Sequence, residues 1–193
     1  MVTGIKLHIS VKDADGAIIS ETCKNNDLYL WNFAVMITHW IKRWNKISDP
    51  TSYQYTDING TIRTISSGTH VWASHNYDGS SSNVGNWGNT LRAVLGSGST
   101  PPVITDHCLN QQVAEAVPTN VALVTAGNII KQLFSATFPM AEETIGSEIG
   151  LRMKMMDNVG IALITRDIFD PVTVPAGGSL TVLFEFWLNG VPA

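Results

Sequence analysis

Short runs of alternating apolar and polar residues recur along this chain, and they constrain its fold more than any other feature. In the last run, apolar residues occupy every second position: Leu180, Val182, Phe184, Phe186 and Leu188. Residues 5–11 and 149–155 follow the same pattern. Since successive side chains of a strand point to opposite faces of a sheet, this period of two predicts strands that each bury one face.

Two dipeptides mark places where such strands reverse direction. Asp15-Gly16 follows the run at 5–11 and precedes a second apolar run, and Asn59-Gly60 separates residues 53–56 from residues 61–65. Both dipeptides tolerate the positive φ angles that tight hairpin turns require. The sequence therefore predicts a β-hairpin at each of these sites.

The remaining pattern predicts a mainly β protein. Further short strands are expected at residues 91–95, 121–125, 129–138, 161–164 and 179–188. Closely spaced strands without regularly alternating helices indicate an antiparallel β-sandwich or jelly roll, which we expect to form a single domain over residues 1–193. Residues 105–116 are predicted to hold one or two helical turns, with Leu109, Val113 and Ala114 facing inward.

One long helix is predicted at about 27–47, in the N-terminal half. Apolar residues keep helical spacing there: Leu28, Trp31, Val35, Trp40, Trp44 and Ile47. Asp27 and the asparagines before it suit a helix N-cap. Because both faces of this helix are apolar, we expect it to lie across a sheet or in a subunit contact. Residues 74–90 are rich in Ser, Asn and Gly and are predicted to form a long loop.

The composition narrows the class of protein. Only 15% of the residues are charged, against roughly 25% in an average soluble domain. This suggests that neighbouring subunits cover part of the surface; a surface of uncharged polar residues is the alternative. The net charge of −4 predicts no general attraction to nucleic acid or to anionic membranes.

The cysteines and the N-terminus bear on where the protein is made. Cys23 and Cys108 lie far apart and are expected to be reduced thiols, with one disulfide as the alternative. The first residues lack the charged and apolar regions of a signal peptide, and no apolar run is long enough to span a membrane. We therefore expect a soluble protein synthesised in the cytoplasm.

No sequence motif indicates catalysis. The glycines at 96 and 98 are followed by prolines rather than by the Lys-Ser/Thr of a phosphate-binding loop, so a turn at the end of a strand is the expected structure. Residues 13–16 lack the full ligand set of a calcium loop. The histidines have no zinc-ligand spacing, and nothing orients Glu142, Glu143 and Glu148 as a catalytic pair. We expect no enzymatic activity, no cofactor and no metal.

Six motifs occur in order between Leu91 and Leu188. They are Gly96-Ser-Gly-Ser-Thr-Pro101, Asp106 to Leu109, FSATF at 134–138, EIGL at 148–151, Leu163-Ile-Thr-Arg166 with the following DIFDPV, and Pro175-Ala-Gly-Gly-Ser179-Leu-Thr-Val182. In this order they resemble a pattern found in virion structural proteins of tailed phages and related viruses. The resemblance implies a tail, baseplate, fibre-attachment or capsid-surface (decoration) component, located in the virion, without catalysis. It does not extend to the predicted helix or to residues 74–90.

Three residues of this stretch have predicted local roles. Gly150 interrupts an alternating strand and indicates a β-bulge or a close backbone approach. Glu148 is expected to hydrogen-bond a loop or to pair with Arg166, with a solvated carboxylate as the alternative. Arg166 and its neighbour Asp167 are expected to point to opposite faces.

The leading functional hypothesis is a virion subunit that forms a homo-oligomer and contacts other virion proteins, namely coat, portal or tail proteins. The candidate contact residues are Trp31, Trp40 and Trp44 on the helix and Tyr77 and Trp87 in the loop. The alternative is a carbohydrate-binding jelly roll for host attachment, in which Tyr77 and Trp87 stack against a host glycan. A Trp87 that only anchors its own loop remains a further alternative.

Overall fold

The computed structural model describes residues 3–25, 28–35, 53–65, 91–126, 129–155 and 160–189. A helix, α1, occupies residues 31–35. The strands within these ranges are β1 (Thr3–Lys12), β2 (Ile18–Asn25), β3 (Leu28–Tyr29), β4 (Tyr53–Thr56), β5 (Ile62–Ile65), β6 (Leu91–Gly96), β7 (Gln112–Ala116), β8 (Asn120–Ala126), β9 (Ile129–Pro139), β10 (Thr144–Met155), β11 (Gly160–Val174) and β12 (Ser179–Asn189).

Ten of these strands form two antiparallel sheets. Sheet A has the order β2-β1-β12-β9-β8, and sheet B has the order β3-β11-β10-β6-β7. Strands β4 and β5 pair only with each other among the described strands. The predicted mainly β, antiparallel sandwich is confirmed, whereas a jelly-roll connection of its strands stays a prediction.

The core lies between the two sheets. The alternating residues predicted to be buried do face it: Ile5, Leu7, Ile9 and Val11 from β1, Leu180, Val182 and Phe184 from β12, and Ile149, Leu151 and Met153 from β10. They form one cluster with Leu91, Ala93 and Leu95 of β6. Each large side chain buried in this way stabilises the fold by about 1.5–3 kcal/mol, so the period-two pattern sets both the register and the inner face.

Both predicted hairpins are present. In the β1–β2 turn, Asp13 Oδ1 accepts hydrogen bonds from the backbone N–H groups of Asp15 and Ala17, at 3.0 and 2.8 Å. Gly16 has φ +85°, a conformation that L side chains rarely adopt. An aspartate therefore organises this turn by accepting hydrogen bonds from the backbone, as polar turn residues commonly do.

The β4–β5 turn uses the same device in a buried setting. Asp57 Oδ1 accepts hydrogen bonds from the N–H groups of Asn59 and Thr61, both at 2.9 Å, and Oδ2 accepts one from Arg63 Nε at 2.8 Å. Gly60 has φ +78°. Asn32 of α1 connects this hairpin to sheet B, because its Nδ2 donates to the carbonyls of Thr56 and Leu163.

A β-bulge in β11 determines which residues lie outside the sandwich. Leu151 is opposite Thr165 and Arg152 is opposite Leu163, so Ile164 is one extra residue in β11. As a result, Leu163 and Arg166 both lie on the outer face of sheet B, which points away from sheet A. The close approach predicted at Gly150 is also present, since a Cβ atom there would lie 2.8 Å from the Thr165 carbonyl oxygen.

Two secondary-structure predictions are wrong within the described residues. The helix does not start at 27: residues 28–29 form β3, which pairs with Thr165 and Arg166 of β11, and the helix begins at residue 31. Residues 112–116 form an edge strand instead of a helical turn, and Val113 is 42% exposed, whereas Leu109 is buried as expected. In both cases, backbone pairing with a neighbouring strand overrides a short helix-like pattern. Residues 36–47 of the predicted helix and the loop at 74–90 lie outside the described residues.

Candidate functional site

A buried arginine organises the outer face of sheet B. The Arg166 side chain is 1% exposed, and each part of its guanidinium has an acceptor. Nε donates to Glu148 Oε1 at 2.5 Å, Nη1 to Asp106 Oδ2 at 2.6 Å, and Nη2 to the Thr100 carbonyl at 2.9 Å. The arrangement, which we call the Arg166 clamp, joins β10 and β11 to the loop at 97–111.

Glu148 carries the other half of the clamp. Its side chain is fully buried, and its carboxylate accepts hydrogen bonds from the backbone N–H groups of Asn110 and Gln111. Glu148 was predicted either to hydrogen-bond a loop or to pair with Arg166, and it does both. The alternative of a solvated carboxylate is wrong. Burying a carboxylate is costly unless it is paired and hydrogen-bonded, and Glu148 meets both conditions.

The two glycines of the Gly96-Ser-Gly98 segment make room for this carboxylate. A Cβ atom at Gly96 would lie 2.5 Å from Glu148 Oε2, and one at Gly98 would lie 2.6 Å from the same atom. Ser147 Oγ also donates to the Gly98 carbonyl at 2.9 Å. Strand β6 ends at Gly96 as expected, and the reason for the two glycines is the close approach of the backbone to a buried side chain.

The groups around Arg166 favour its charged form. Burial alone lowers the pKa of Arg166, but its hydrogen bonds to Glu148 and Asp106 outweigh burial and hold the pKa of the guanidinium above its ordinary value. The guanidinium therefore stays charged wherever the protein is folded. A permanently charged, hydrogen-bonded group of this kind holds structure together and does not exchange protons with a substrate.

A small second core of apolar residues lies next to the clamp, on the outer face of sheet B. It consists of Leu30, Val94, Leu109 and Leu163, of which Leu109 is 5% exposed and the others are fully buried. A Cβ atom at Gly150 would lie 3.0 Å from Cδ1 of both Leu109 and Leu163. The loop at 97–111 is thus fixed by apolar packing as well as by Arg166.

The fixed loop presents apolar side chains to solvent. Val103 and Ile104 are 54% and 53% exposed, and Trp31 is 55% exposed. The backbone N–H of Trp31 donates to the Ile104 carbonyl at 2.8 Å, so Trp31 lies next to Ile104, which follows Val103 in the chain. We call them the Trp31 surface. Thr100 and Asp106, which Arg166 holds, flank Val103 and Ile104 in the chain.

Of the predicted contact residues, only Trp31 can be placed. Trp40, Trp44, Tyr77 and Trp87 lie outside the described residues. The sequence reasoning missed Val103 and Ile104 as surface residues. A signal was present, because two β-branched apolar residues follow two prolines in a segment with no strand or helix pattern.

Asp167 points away from Arg166, as predicted. Its Oδ1 accepts a hydrogen bond from Lys24 Nζ of sheet A at 2.8 Å, and Lys24 also donates to the Ile168 carbonyl. An open cleft of about 360 Å³ lies beside this pair, lined by residues 22–24 and 168–170. Cys23 is exposed, Cys108 is half-buried, and both thiols are free.

Within the part of the chain that the structure describes, no three His, Cys, Asp or Glu side chains gather in a way that could hold a metal ion. None of the described helices is long and apolar enough to cross a membrane. No protein-family model, curated protein or solved structure matches the chain.

Proposed function

We propose that this chain is a structural, non-enzymatic virion protein that assembles with copies of itself and with neighbouring coat, portal or tail proteins. The observation that carries the assembly part is the Trp31 surface. Val103 and Ile104 stand exposed on a loop that Arg166 anchors, and Trp31 stands exposed beside them on α1. Exposed apolar groups on a fixed backbone suit a protein contact, because little conformational entropy is lost on binding.

The virion part of the proposal rests on the ordered motifs between residues 91 and 188. Residues from four of the six motifs meet in the Arg166 clamp, as the contacts of Gly96, Asp106, Glu148 and Arg166 describe. The motif order therefore has a physical reason: it specifies a loop and its anchor. A catalytic role for these groups is disfavoured, since their polar atoms are occupied by one another.

Self-association is tested by analytical ultracentrifugation at micromolar concentration. The wild type is expected to form a defined oligomer, and Trp31→Ser is expected to shift it towards monomer without loss of thermal stability, because Trp31 is already 55% exposed. Ile18→Ser is the matched control, since Ile18 is also 55% exposed but lies on sheet A. A monomeric wild type, or equal effects of both substitutions, would contradict the assignment of the contact to the Trp31 surface.

The presence of the protein in the virion is tested by mass spectrometry of purified particles of the virus that encodes it. A structural subunit is expected at a fixed copy number in every particle preparation and to remain after salt and detergent washes. Its absence from the particles would reject the virion role, even if the isolated protein associates with itself.

A further inference from the structure

A second buried arginine, Arg152, lies on the outer face of sheet B. It is in β10, two residues after Gly150, which is paired with Arg166. The Arg152 side chain is 9% exposed, and Arg92 of β6, with a side chain 16% exposed, is directly opposite it. Residues directly opposite in an antiparallel pair project from the same face with their Cβ atoms about 4.5–5.5 Å apart. Two guanidinium groups therefore share a small region at this end of the outer face of sheet B.

The Glu115 carboxylate lies near both arginines, and its distances to them are long for hydrogen bonds. Arg92 also donates a hydrogen bond from Nη1 to the Leu91 carbonyl at 3.0 Å. Glu115 of β7 places Oε1 3.5 Å from Arg92 Nε and Oε2 3.8 Å from Arg152 Nη1. Charged hydrogen bonds between such groups are usually about 2.7–2.9 Å long. Moreover, Arg152 Nε is buried and has no hydrogen-bond partner among the described residues.

The partners of Arg152 differ from those of Arg166. Both arginines are at least nine-tenths buried and lie on the outer face of sheet B, yet Arg166 donates to two carboxylates and a carbonyl at 2.5–2.9 Å. Among the described residues, the ion-pair partner of Arg152 is Glu115, at 3.8 Å. A buried charge normally has close partners, so Arg152 has the features of a group whose partner is supplied from outside.

We propose that Arg92 and Arg152 form a binding site for an oxyanion, a carboxylate or a phosphate group, which enters beside Glu115. The planar guanidinium fork matches the two oxygens of such a group. Glu115 is the most accessible of the three side chains at 32% exposure, and β7 is an edge strand of sheet B, so a ligand can approach there. The site does not depend on the proposed virion function.

The first experiment titrates inorganic phosphate into the protein by calorimetry, with sodium chloride adjusted to keep the ionic strength constant. Arg152→Met is expected to weaken binding by about tenfold or more, the effect of one charged hydrogen bond. Arg92→Met is the second variant, should Arg152→Met fail to fold. Glu115→Gln is expected to tighten binding, because it removes the competing carboxylate. Lys12→Gln, which removes an exposed positive charge on sheet A, is the control and should leave binding unchanged.

A second experiment distinguishes a free anion from a carboxylate of another copy of the chain. If a second copy supplies the group, millimolar phosphate at constant ionic strength weakens self-association, and Arg152→Met weakens it as well, whereas Lys12→Gln does not. If a free anion is the ligand, phosphate binds and self-association is indifferent to it. The proposal is overturned if phosphate neither binds nor affects association, or if the arginine variants behave like the Lys12→Gln control.

Discussion

Replacing Arg166 by methionine tests whether the Arg166 clamp is a main source of stability. The substitution keeps much of the side-chain length but removes the charge and three hydrogen bonds, two of them to carboxylates. It leaves Glu148 fully buried without a counter-ion, although the N–H groups of Asn110 and Gln111 remain. Removing one partner of a buried ion pair typically costs about 3–5 kcal/mol, so we expect a loss of this size in the free energy of unfolding.

The assay is urea denaturation at pH 7 followed by far-UV circular dichroism, with Glu148→Gln and the double variant measured alongside. Each single substitution leaves a buried polar group unsatisfied, whereas the double variant removes both charges together. The double variant should therefore cost clearly less than the two single costs combined, with a coupling free energy of about 1–3 kcal/mol. Ser10→Ala, on the solvent side of β1, serves as a control for ordinary substitution effects.

Two results would refute this reasoning. A cost below about 1 kcal/mol for Arg166→Met would place the clamp among ordinary surface ion pairs. Strict additivity in the double-mutant cycle would mean that Glu148 and Arg166 stabilise the fold independently, despite the 2.5 Å contact between them.

Two further predictions concern the turn residues. Gly98→Ala should lower the free energy of unfolding, measured in urea, by about 1–3 kcal/mol, because its Cβ would meet the Glu148 carboxylate at 2.6 Å. Gly146→Ala should cost less, because the nearest neighbours of its Cβ would be flexible leucine methyl groups at 3.2–3.3 Å. Equal costs for the two variants would contradict the steric argument. At Asp57, burial alone raises the pKa, but the hydrogen bonds from Arg63 and the turn N–H groups outweigh it and hold the pKa below its ordinary value of 3.8. The carboxylate therefore stabilises the fold above about pH 4 and this contribution is lost as the pH falls through the lowered pKa. The stability difference between wild type and Asp57→Asn, measured in urea from pH 7 to pH 2, should shrink in the acid range; a constant difference would reject the ion pair with Arg63 as its cause.

The strands and hairpins were predictable because their signals are local. Alternation along β1, β10 and β12 assigns each side chain to a face without any knowledge of its neighbours, and Gly16 and Gly60 mark turns through their own φ angles. The pairing of Glu148 with Arg166 was predicted as one of several alternatives. The sequence could not choose among them, since the choice depends on how β10 and β11 align.

The features that were predicted wrongly or missed depend on distant parts of the chain. Strand β3 and strand β7 each exist because a neighbouring strand offers unpaired backbone groups, and this information lies elsewhere in the chain. The positions of Val103 and Ile104 depend on an arginine about sixty residues further on. The extra residue in β11 was also unpredictable, because a bulge leaves no clear pattern in a run that is apolar on both faces.

That bulge makes the length of β11 matter more than the identity of one of its residues. Before Ile164 the strand keeps one phase of inward and outward side chains, and from Thr165 to Phe169 it keeps the other. Without the extra residue, Leu163 and Arg166 would point to opposite sides of the sheet. Either Leu163 of the small second core or Arg166 of the clamp would then point into the core between the sheets. Ile164 can therefore be exchanged for another apolar residue of similar size. A single-residue deletion between 163 and 166, by contrast, moves one of these two side chains to the wrong face of the sheet. Related or redesigned versions of this fold should keep the residue count between these two positions even where the residues themselves change.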